Sequence, residues 1–173
     1  DTELSRTQTE PVNLGQILRT VIDVYRETGS DDDPKLELEL GANNLLVAGI
    51  ADRLGQVLRN LLDNAMSFSP PGGTIWIKAG STKVDVWFTV EDQGPGIPPG
   101  KLGAVFDRFY TERPEGETFG THSGLGLSIS RQIIEAFGGV IGAANRTDDA
   151  GKIIGARFTV RLPALGRGGR AMR

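Results

Sequence analysis

The order in which helices and strands are predicted is the feature that most constrains the fold of this chain. Three segments repeat apolar residues with the period of a helix, and six short segments have the alternation or apolar clustering of strands. The helices are predicted around residues 14–25, 50–68 and 125–137, and the strands at residues 36–40, 45–47, 74–79, 84–91, 140–144 and 153–161. Because the strands come in runs rather than alternating singly with helices, a regular βαβ winding is disfavoured. The order predicts an α+β fold, a two-layer sandwich in which three helices cover one face of a mixed sheet.

Neighbouring strands in the sequence are expected to pair with each other. Residues 36–40 and 45–47 are predicted to form a hairpin across the turn at residues 41–44. The strands at 74–79 and 84–91 are expected to be central, with Val84, Val86, Phe88 and Val90 of the second strand pointing to one face. The last two strands are expected to form the final pair.

Composition excludes several classes of function. The chain has 173 residues, 19 Lys and Arg against 22 Asp and Glu, and a net charge of -3, so nothing favours binding of a polyanion such as nucleic acid. Without cysteine and with a single histidine, it has no thiolate zinc site, disulfide framework or His-rich metal site. No uncharged apolar run approaches the ~18 residues of a membrane span, and the polar start is unlike a signal peptide, so we expect a soluble piece.

Two asparagines border the apolar face of the second predicted helix. Asn60 and Asn64 lie one turn apart, and Ser67 falls nearby. Such amides can be solvent-exposed or capping residues. Alternatively, an amide oxygen is a neutral ligand for a hard cation such as Mg²⁺, which takes its other ligands from water and phosphate.

Two glycine-rich segments are candidate binding loops. Asp92, Gly94 and Gly96 directly follow a strand that is predicted to be buried. This segment is either a turn capped by Asp92 or a pocket in which a carboxylate accepts a hydrogen bond from an exocyclic amine while the glycines admit a flat ring. Residues 123–127 open the third helix, whose free N–H groups could face a phosphate, although the segment is neither a Walker loop nor a dinucleotide fingerprint.

Taken together and in order, these segments resemble the ATP-binding catalytic domain of bacterial sensor histidine kinases, in the gyrase, Hsp90, histidine kinase and MutL superfamily. Residues 60–65 resemble its N box, 92–97 its first glycine box, 106–110 its F box, 124–127 its second glycine box and 155–160 its closing strand. The resemblance covers residues 12–163. It implies the GHKL, or Bergerat, ATP-binding fold and the use of ATP with Mg²⁺.

The resemblance also implies roles for individual residues. Asn64 would ligand Mg²⁺, Asp92 would receive the adenine amino group, and Phe68 would lie against the base. Residues 110–123 would form a mobile ATP lid. The residues implied to bind ATP are Asn60, Asn64, Phe68, Asp92, Gly94, Gly96, Ile97, Arg108, Tyr110, Ser123, Gly124, Leu125, Gly126 and Thr159.

The sequence departs from the family at two positions where it often has cations near phosphate. Ser67 stands in place of a Lys and Thr111 in place of an Arg, and Arg108 and Arg113 are candidate substitutes, although they could equally be surface arginines. Asn60 stands where hydrolytic members have a glutamate, and an amide is not a base at neutral pH. The resemblance therefore favours a histidine kinase over a GHKL ATPase, with a nucleotide-gated binding module as a further alternative.

The phosphoacceptor is expected to lie outside this chain. His122 falls in the predicted lid rather than on a helical hairpin, so we expect no catalytic residue of this kind here. Residues 1–11 are interpreted as the end of the helical dimerisation and phosphoacceptor hairpin, 12–163 as the catalytic domain, and 164–173 as a disordered basic tail. The resemblance implies that the acceptor domain of the same protein and a response regulator are the partners. It implies that the whole protein is a homodimer anchored in the inner membrane, with this domain in the cytoplasm.

Overall fold

The computed structural model describes residues 8–41, 45–107 and 126–166. These residues form three α-helices, seven strands and one short 3₁₀ helix. In chain order they are β1 (Glu10–Asn13), α1 (Leu14–Thr28), β2 (Lys35–Leu40), β3 (Leu46–Gly49), α2 (Ala51–Phe68), β4 (Thr74–Ser81), β5 (Asp85–Glu91), the 3₁₀ helix Ala104–Phe106, α3 (Gly126–Ala136), β6 (Val140–Thr147) and β7 (Ile153–Pro163).

Five strands form the main sheet in the order β2-β4-β5-β7-β6. The β2–β4 pair is parallel and the other three pairs are antiparallel, so the sheet is mixed. The three helices pack against it and bury their apolar faces, which confirms the predicted α+β sandwich. As expected, β4 and β5 lie inside the sheet, and β6 pairs with β7.

Alternation along the central strand separates the core from the open face of the sheet. Val86, Phe88 and Val90 of β5 are each 1% exposed and contribute to the core. The intervening residues Trp87 and Thr89 are more exposed, because successive strand residues point to opposite faces. The same alternation continues one residue past the end of β5 and directs Asp92 toward the helical layer.

The predicted hairpin between β2 and β3 is wrong. β2 instead runs parallel to β4, with Leu36 opposite Ile75, while β3 pairs antiparallel with β1 in a separate two-stranded sheet. Apolar alternation determines which face of a strand is buried, but it does not determine the strand that lies beside it.

The ends of the described chain also differ from expectation. Glu10 and Pro11 belong to β1 rather than to a helix. Ala164 and Leu165, which were assigned to the disordered tail, are buried, and their N–H groups donate to Val84 O and Leu46 O at 2.9 and 3.0 Å. The tail assignment was therefore wrong for these two residues, which connect the main sheet to β3. Residues 1–7 and 167–173 lie outside the described residues.

None of the described helices combines the length and the apolar character that crossing a membrane would need.

Candidate functional site

A buried carboxylate lies at the end of the central strand. The side chain of Asp92 is 3% exposed, and its Oδ1 accepts hydrogen bonds from the N–H groups of Gly94 at 2.9 Å and Ala156 at 3.0 Å. Among the described residues, Oδ2 has no such donor. Asp92 is thus held by one oxygen while the other can accept a hydrogen bond from a ligand.

Burial raises the pKa of Asp92 above its ordinary value. The two N–H donors and the nearby positive charge of Arg146 oppose this rise, but the loss of hydration is the larger effect. A buried carboxylate is stabilised more by a new hydrogen-bond donor than a fully hydrated carboxylate is. This position therefore favours a ligand that brings an N–H group.

The glycines after Asp92 allow the loop to pack tightly between two elements. A Cβ on Gly94 would lie 2.8 Å from the carbonyl oxygen of Phe68, at the end of α2. Gly96 has a positive φ of 80°, and a Cβ there would collide with Ile153 and lie 2.8 Å from Asn145 Oδ1. These contacts leave no room for side chains at the two positions, so the loop backbone packs closely against the end of α2 and the β6–β7 region.

Ile97 ends this loop and is held by a pair of hydrogen bonds. Its N–H donates to Asn145 Oδ1 at 2.7 Å, and Asn145 Nδ2 donates to its carbonyl oxygen at 2.9 Å. The side chain of Ile97 is buried. The loop therefore has fixed positions at both ends.

One face of α2 reaches from the start of α3 to the loop at residues 92–97, which is called the glycine loop below. Asn60 Nδ2 donates to Gly126 O and to Ser130 Oγ, both at 3.1 Å. Phe68, two turns further along, lies against Gly94. Asn64 lies between them on the same face because residues four apart share a helix face. Asn60 thus meets Gly126 at one end of this face of α2, and Phe68 meets Gly94, which follows Asp92, at the other end.

The site can accommodate a hard cation only together with a ligand that supplies further oxygens. The described residues contain no group of three or more His, Cys, Asp or Glu that could hold a metal ion. Asn64 is 8% exposed, and among the described residues its amide oxygen accepts no hydrogen bond. One amide oxygen fits Mg²⁺ whose other ligands are phosphate oxygens and water.

Some predicted residues do not join this region. Thr159 alternates with the buried Phe158 and Val160 of β7, so it lies on the sheet face opposite the helices and away from the Asp92 side chain. The assignment of Thr159 to the ATP site is therefore corrected. The predicted residues Arg108, Tyr110, Ser123, Gly124 and Leu125 lie outside the described residues, as do Thr111, Arg113 and His122.

Sequence reasoning missed three residues that shape the site. Ala156 binds the Asp92 carboxylate through its N–H group, and Asn145 holds Ile97. Gly155 has a φ of 156°, and a side chain there would collide with the carbonyl oxygen of Asp92. Residues 155–160 were recognised as a closing strand, but no signal in the sequence shows which strand lies beside Asp92.

Comparison with protein families agrees with this geometry. Residues 49–166 match the family described as histidine kinase-, DNA gyrase B- and HSP90-like ATPase. The chain belongs to this family. The matched residues include α2, the glycine loop, α3 and β7, so they contain the whole described site.

Relatives of this ATPase-family domain include sensor proteins. The chain is 42% identical to the sensor protein ChvG of Agrobacterium fabrum and 40% identical to ChvG of Rhizobium meliloti, in each case over 95% of its own length. It spans 29% of the length of the Agrobacterium fabrum protein and 30% of the length of the Rhizobium meliloti protein.

Solved structures show the same fold. The mycobacterial sensor histidine kinase MprB matches with a TM-score of 0.74 and 32% identity over 95% of this chain and 99% of that one. The catalytic domain of the histidine kinase ThkA matches with a TM-score of 0.77 and 29% identity over 91% of this chain and 96% of that one. ThkA in complex with the response regulator protein TrrA matches with a TM-score of 0.73 and 28% identity, over 90% of this chain and 41% of that one.

Proposed function

We propose that this domain binds Mg-ATP and presents its γ-phosphoryl group to a histidine on a separate helical domain of a sensor histidine kinase. The observation that carries the proposal is Asp92, a buried carboxylate with one oxygen held by two backbone N–H groups and the other without a described donor. The family match and the sensor-kinase relatives support it.

Asp92 would recognise the adenine base. Its Oδ2 accepts a hydrogen bond from the exocyclic amino group, which an oxygen at the same ring position could not donate. Gly94 and Gly96 let the loop backbone pack closely against Phe68 and Ile153, and Phe68 and Ile97 would provide apolar surface beside the ring. This arrangement favours adenine over purines with a 6-oxo group.

The phosphates would extend from this base along α2 toward α3. Asn64 would contribute an amide oxygen to Mg²⁺, which when bound neutralises charge on the phosphate oxygens. Asn60 and Gly126 mark the phosphate end, where the N-terminus of α3 favours an anion. Arg108, Tyr110, Ser123, Gly124 and Leu125 remain proposed contributors to phosphate binding and to the lid.

The residues of the site favour transfer to histidine over hydrolysis. Water needs a base, and Asn60 supplies none because an amide is not basic at neutral pH; its Nδ2 instead donates to Gly126 O and Ser130 Oγ. A neutral imidazole already has a lone pair, with an ordinary pKa near 6.5, so it can attack phosphorus without a base. The domain then has to position the phosphoryl group and stabilise its charge.

Within the whole protein, we propose that the acceptor helices come from the same polypeptide and that a response regulator receives the phosphoryl group. The structure of ThkA with TrrA supports a partner of this kind. We further propose a membrane-anchored homodimer with this domain on the cytoplasmic side, because the relatives are sensor proteins.

Phosphotransfer in trans tests the proposal. The 173-residue chain is mixed with a recombinant helical hairpin that bears a sensor-kinase acceptor histidine, together with Mg²⁺ and γ-labelled ATP. We expect label on the hairpin, and we expect Asn64→Ala to slow its appearance at least about tenfold. Gln56→Ala removes another amide from the same helix and is the matched control.

The same assay separates the alternatives. Phosphate release without a hairpin would indicate a hydrolase, and nucleotide binding without transfer would indicate a nucleotide-gated binding module. Either result would reject the kinase proposal.

A further inference from the structure

Arg146 reaches the carbonyl group of Asp92 from strand β6. Its Nη1 donates to Asp92 O at 2.6 Å, and its side chain is 17% exposed. The regular pairing of β5 with β7 ends at Glu91 opposite Arg157, so Asp92 lies just beyond the described ladder. Arg146 therefore supplies a hydrogen bond to the Asp92 carbonyl where the strand pairing has ended.

Gly155 creates the space for this contact. A Cβ at Gly155 would collide with Asp92 O and would lie 3.0 Å from Arg146 Nη1. The guanidinium and the Asp92 carbonyl thus meet over a position that has no side chain. The N–H group of Asp92 donates to Ala156 O at 3.0 Å, so both backbone polar groups of Asp92 are held.

The guanidinium is itself held in place by two neighbours. Its Nε lies 3.3 Å from Glu91 Oε1, and its Cζ lies 4.6 Å from the centre of the Trp76 ring. Glu91 is 6% exposed and also contacts Arg157 and Lys78, at 3.2 and 3.3 Å. A planar guanidinium that stacks on an aromatic ring and pairs with a buried carboxylate keeps one orientation, which a flexible ammonium would not.

Successive residues of β6 hold the two ends of the glycine loop. Arg146 binds Asp92 at its start, and Asn145 binds Ile97 at its end. Because adjacent strand residues point to opposite faces, the two side chains approach the loop from different sides. The loop is positioned by β6 as well as by β5, from which it emerges.

We propose that Arg146 is a positioning residue for adenine recognition: it fixes the backbone of Asp92 so that the free carboxylate oxygen meets the amino group of the base. This inference rests on the proposed function. It adds a residue on the sheet face opposite the helices to those that determine adenine specificity. Asp92 is held through its carboxylate, its N–H and its carbonyl, and Arg146 provides the last of these. Without it, the end of β5 could shift while Oδ1 stayed bound to its N–H donors.

Nucleotide discrimination tests the inference. Dissociation constants for ADP and inosine diphosphate are measured by calorimetry on the 173-residue chain and on Arg146→Gln, Arg146→Lys and Arg161→Gln. We expect Arg146→Gln to weaken ADP about tenfold while changing inosine diphosphate less than about twofold, since only ADP carries the amino group. Arg161→Gln, an exposed arginine further along β7, should leave both constants unchanged.

The lysine variant separates positioning from structural support. Arg146→Lys keeps a cation near Glu91 and Trp76, so its melting temperature should stay near that of the parent chain. A single Nζ cannot reproduce the fork that joins Glu91 to Asp92 O, so we expect the preference for ADP to fall at least about threefold. If Arg146→Gln does not fold, this variant still decides the question.

Two results would overturn the inference in different ways. If Asp92→Asn abolishes the preference for ADP but both Arg146 variants keep it, the positioning role is wrong and the proposed function stands. If the parent chain shows no preference for ADP, both fail.

Discussion

Substituting Asp92 by asparagine should separate stability from binding, because one oxygen of this side chain holds the loop and the other faces the proposed ligand. In Asp92→Asn the amide oxygen must take the place of Oδ1, since the N–H groups of Gly94 and Ala156 require an acceptor. The amide nitrogen is then forced into the position of Oδ2. An acceptor for the adenine amino group becomes a donor.

The size of the effect follows from this exchange. A hydrogen bond to a charged group contributes about 1.5 to 3 kcal/mol, so the variant should bind ADP about 10- to 150-fold more weakly. Inosine diphosphate should lose less, because its 6-oxo group can accept from the new amide. Calorimetric titration with both nucleotides measures this, and Asp149→Asn, at an exposed position of the β6–β7 turn, is the matched control.

Although Asp92→Asn should weaken ADP binding, it should keep or raise the free energy of unfolding. The pKa of Asp92 is raised in the folded protein, so the folded state holds its proton more tightly than the unfolded state does. Ionisation therefore costs stability as the pH rises from the ordinary aspartate range through the folded pKa. The neutral variant avoids this cost, and its free energy of unfolding at pH 7 should equal or exceed that of the parent chain.

Urea unfolding between pH 4 and pH 8 checks the sign. The stability advantage of Asp92→Asn should grow with pH and then level off above the folded pKa. An ADP affinity within twofold of the parent would refute the adenine role of Asp92. A variant that loses stability at pH 7 would refute the account of its burial.

Three further predictions concern residues around the site. Gly96→Ala should destabilise the chain by about 3 kcal/mol in urea unfolding, against about 1 kcal/mol for Gly100→Ala, because both have positive φ but only Gly96 has neighbours within 4 Å; equal losses would contradict this. Burial and a hydrogen bond to the Asp63 carboxylate raise the pKa of Tyr25 in the folded protein. The stability that the neutral hydroxyl contributes is therefore complete below pH ~10 and is lost progressively as the pH rises above it. Tyr25→Phe should therefore cost about 1 kcal/mol at pH 8 and less at pH 11, and a constant difference would reject the cause. Asn60→Ala should cost about 1 to 3 kcal/mol through two lost hydrogen bonds to α3, with Gln56→Ala near neutral in the same unfolding assay.

Local sequence patterns were sufficient for the helices and for most strands. The apolar period of α2 predicted a helix at residues 50–68, and the structure has Ala51–Phe68. The alternation of Val86, Phe88 and Val90 predicted which face of β5 is buried. Both follow from interactions within one segment, so the sequence of that segment is enough to reveal them.

Strand pairing was less accessible, as β2 and β3 illustrate. Their alternation and the turn between them favoured a hairpin, yet β2 pairs with β4 and β3 with β1. Ala164 and Leu165 looked like part of a Gly- and Arg-rich tail, and they are buried because Val84 and Leu46 lie beside them. The energies that decide these contacts come from residues distant in the chain.

For the site, the sequence by itself determined the chemical groups: a carboxylate after a buried strand, glycines directly behind it, and amides one turn apart on α2. Only the tertiary structure decided that the N–H of Ala156 holds one carboxylate oxygen, that Arg146 holds the carbonyl behind it, and that Thr159 faces the other way. The reason is physical. Residue type and local period are properties of one segment, whereas a hydrogen bond between Asp92 and residues 54 or 64 positions away depends on how the whole sheet assembles.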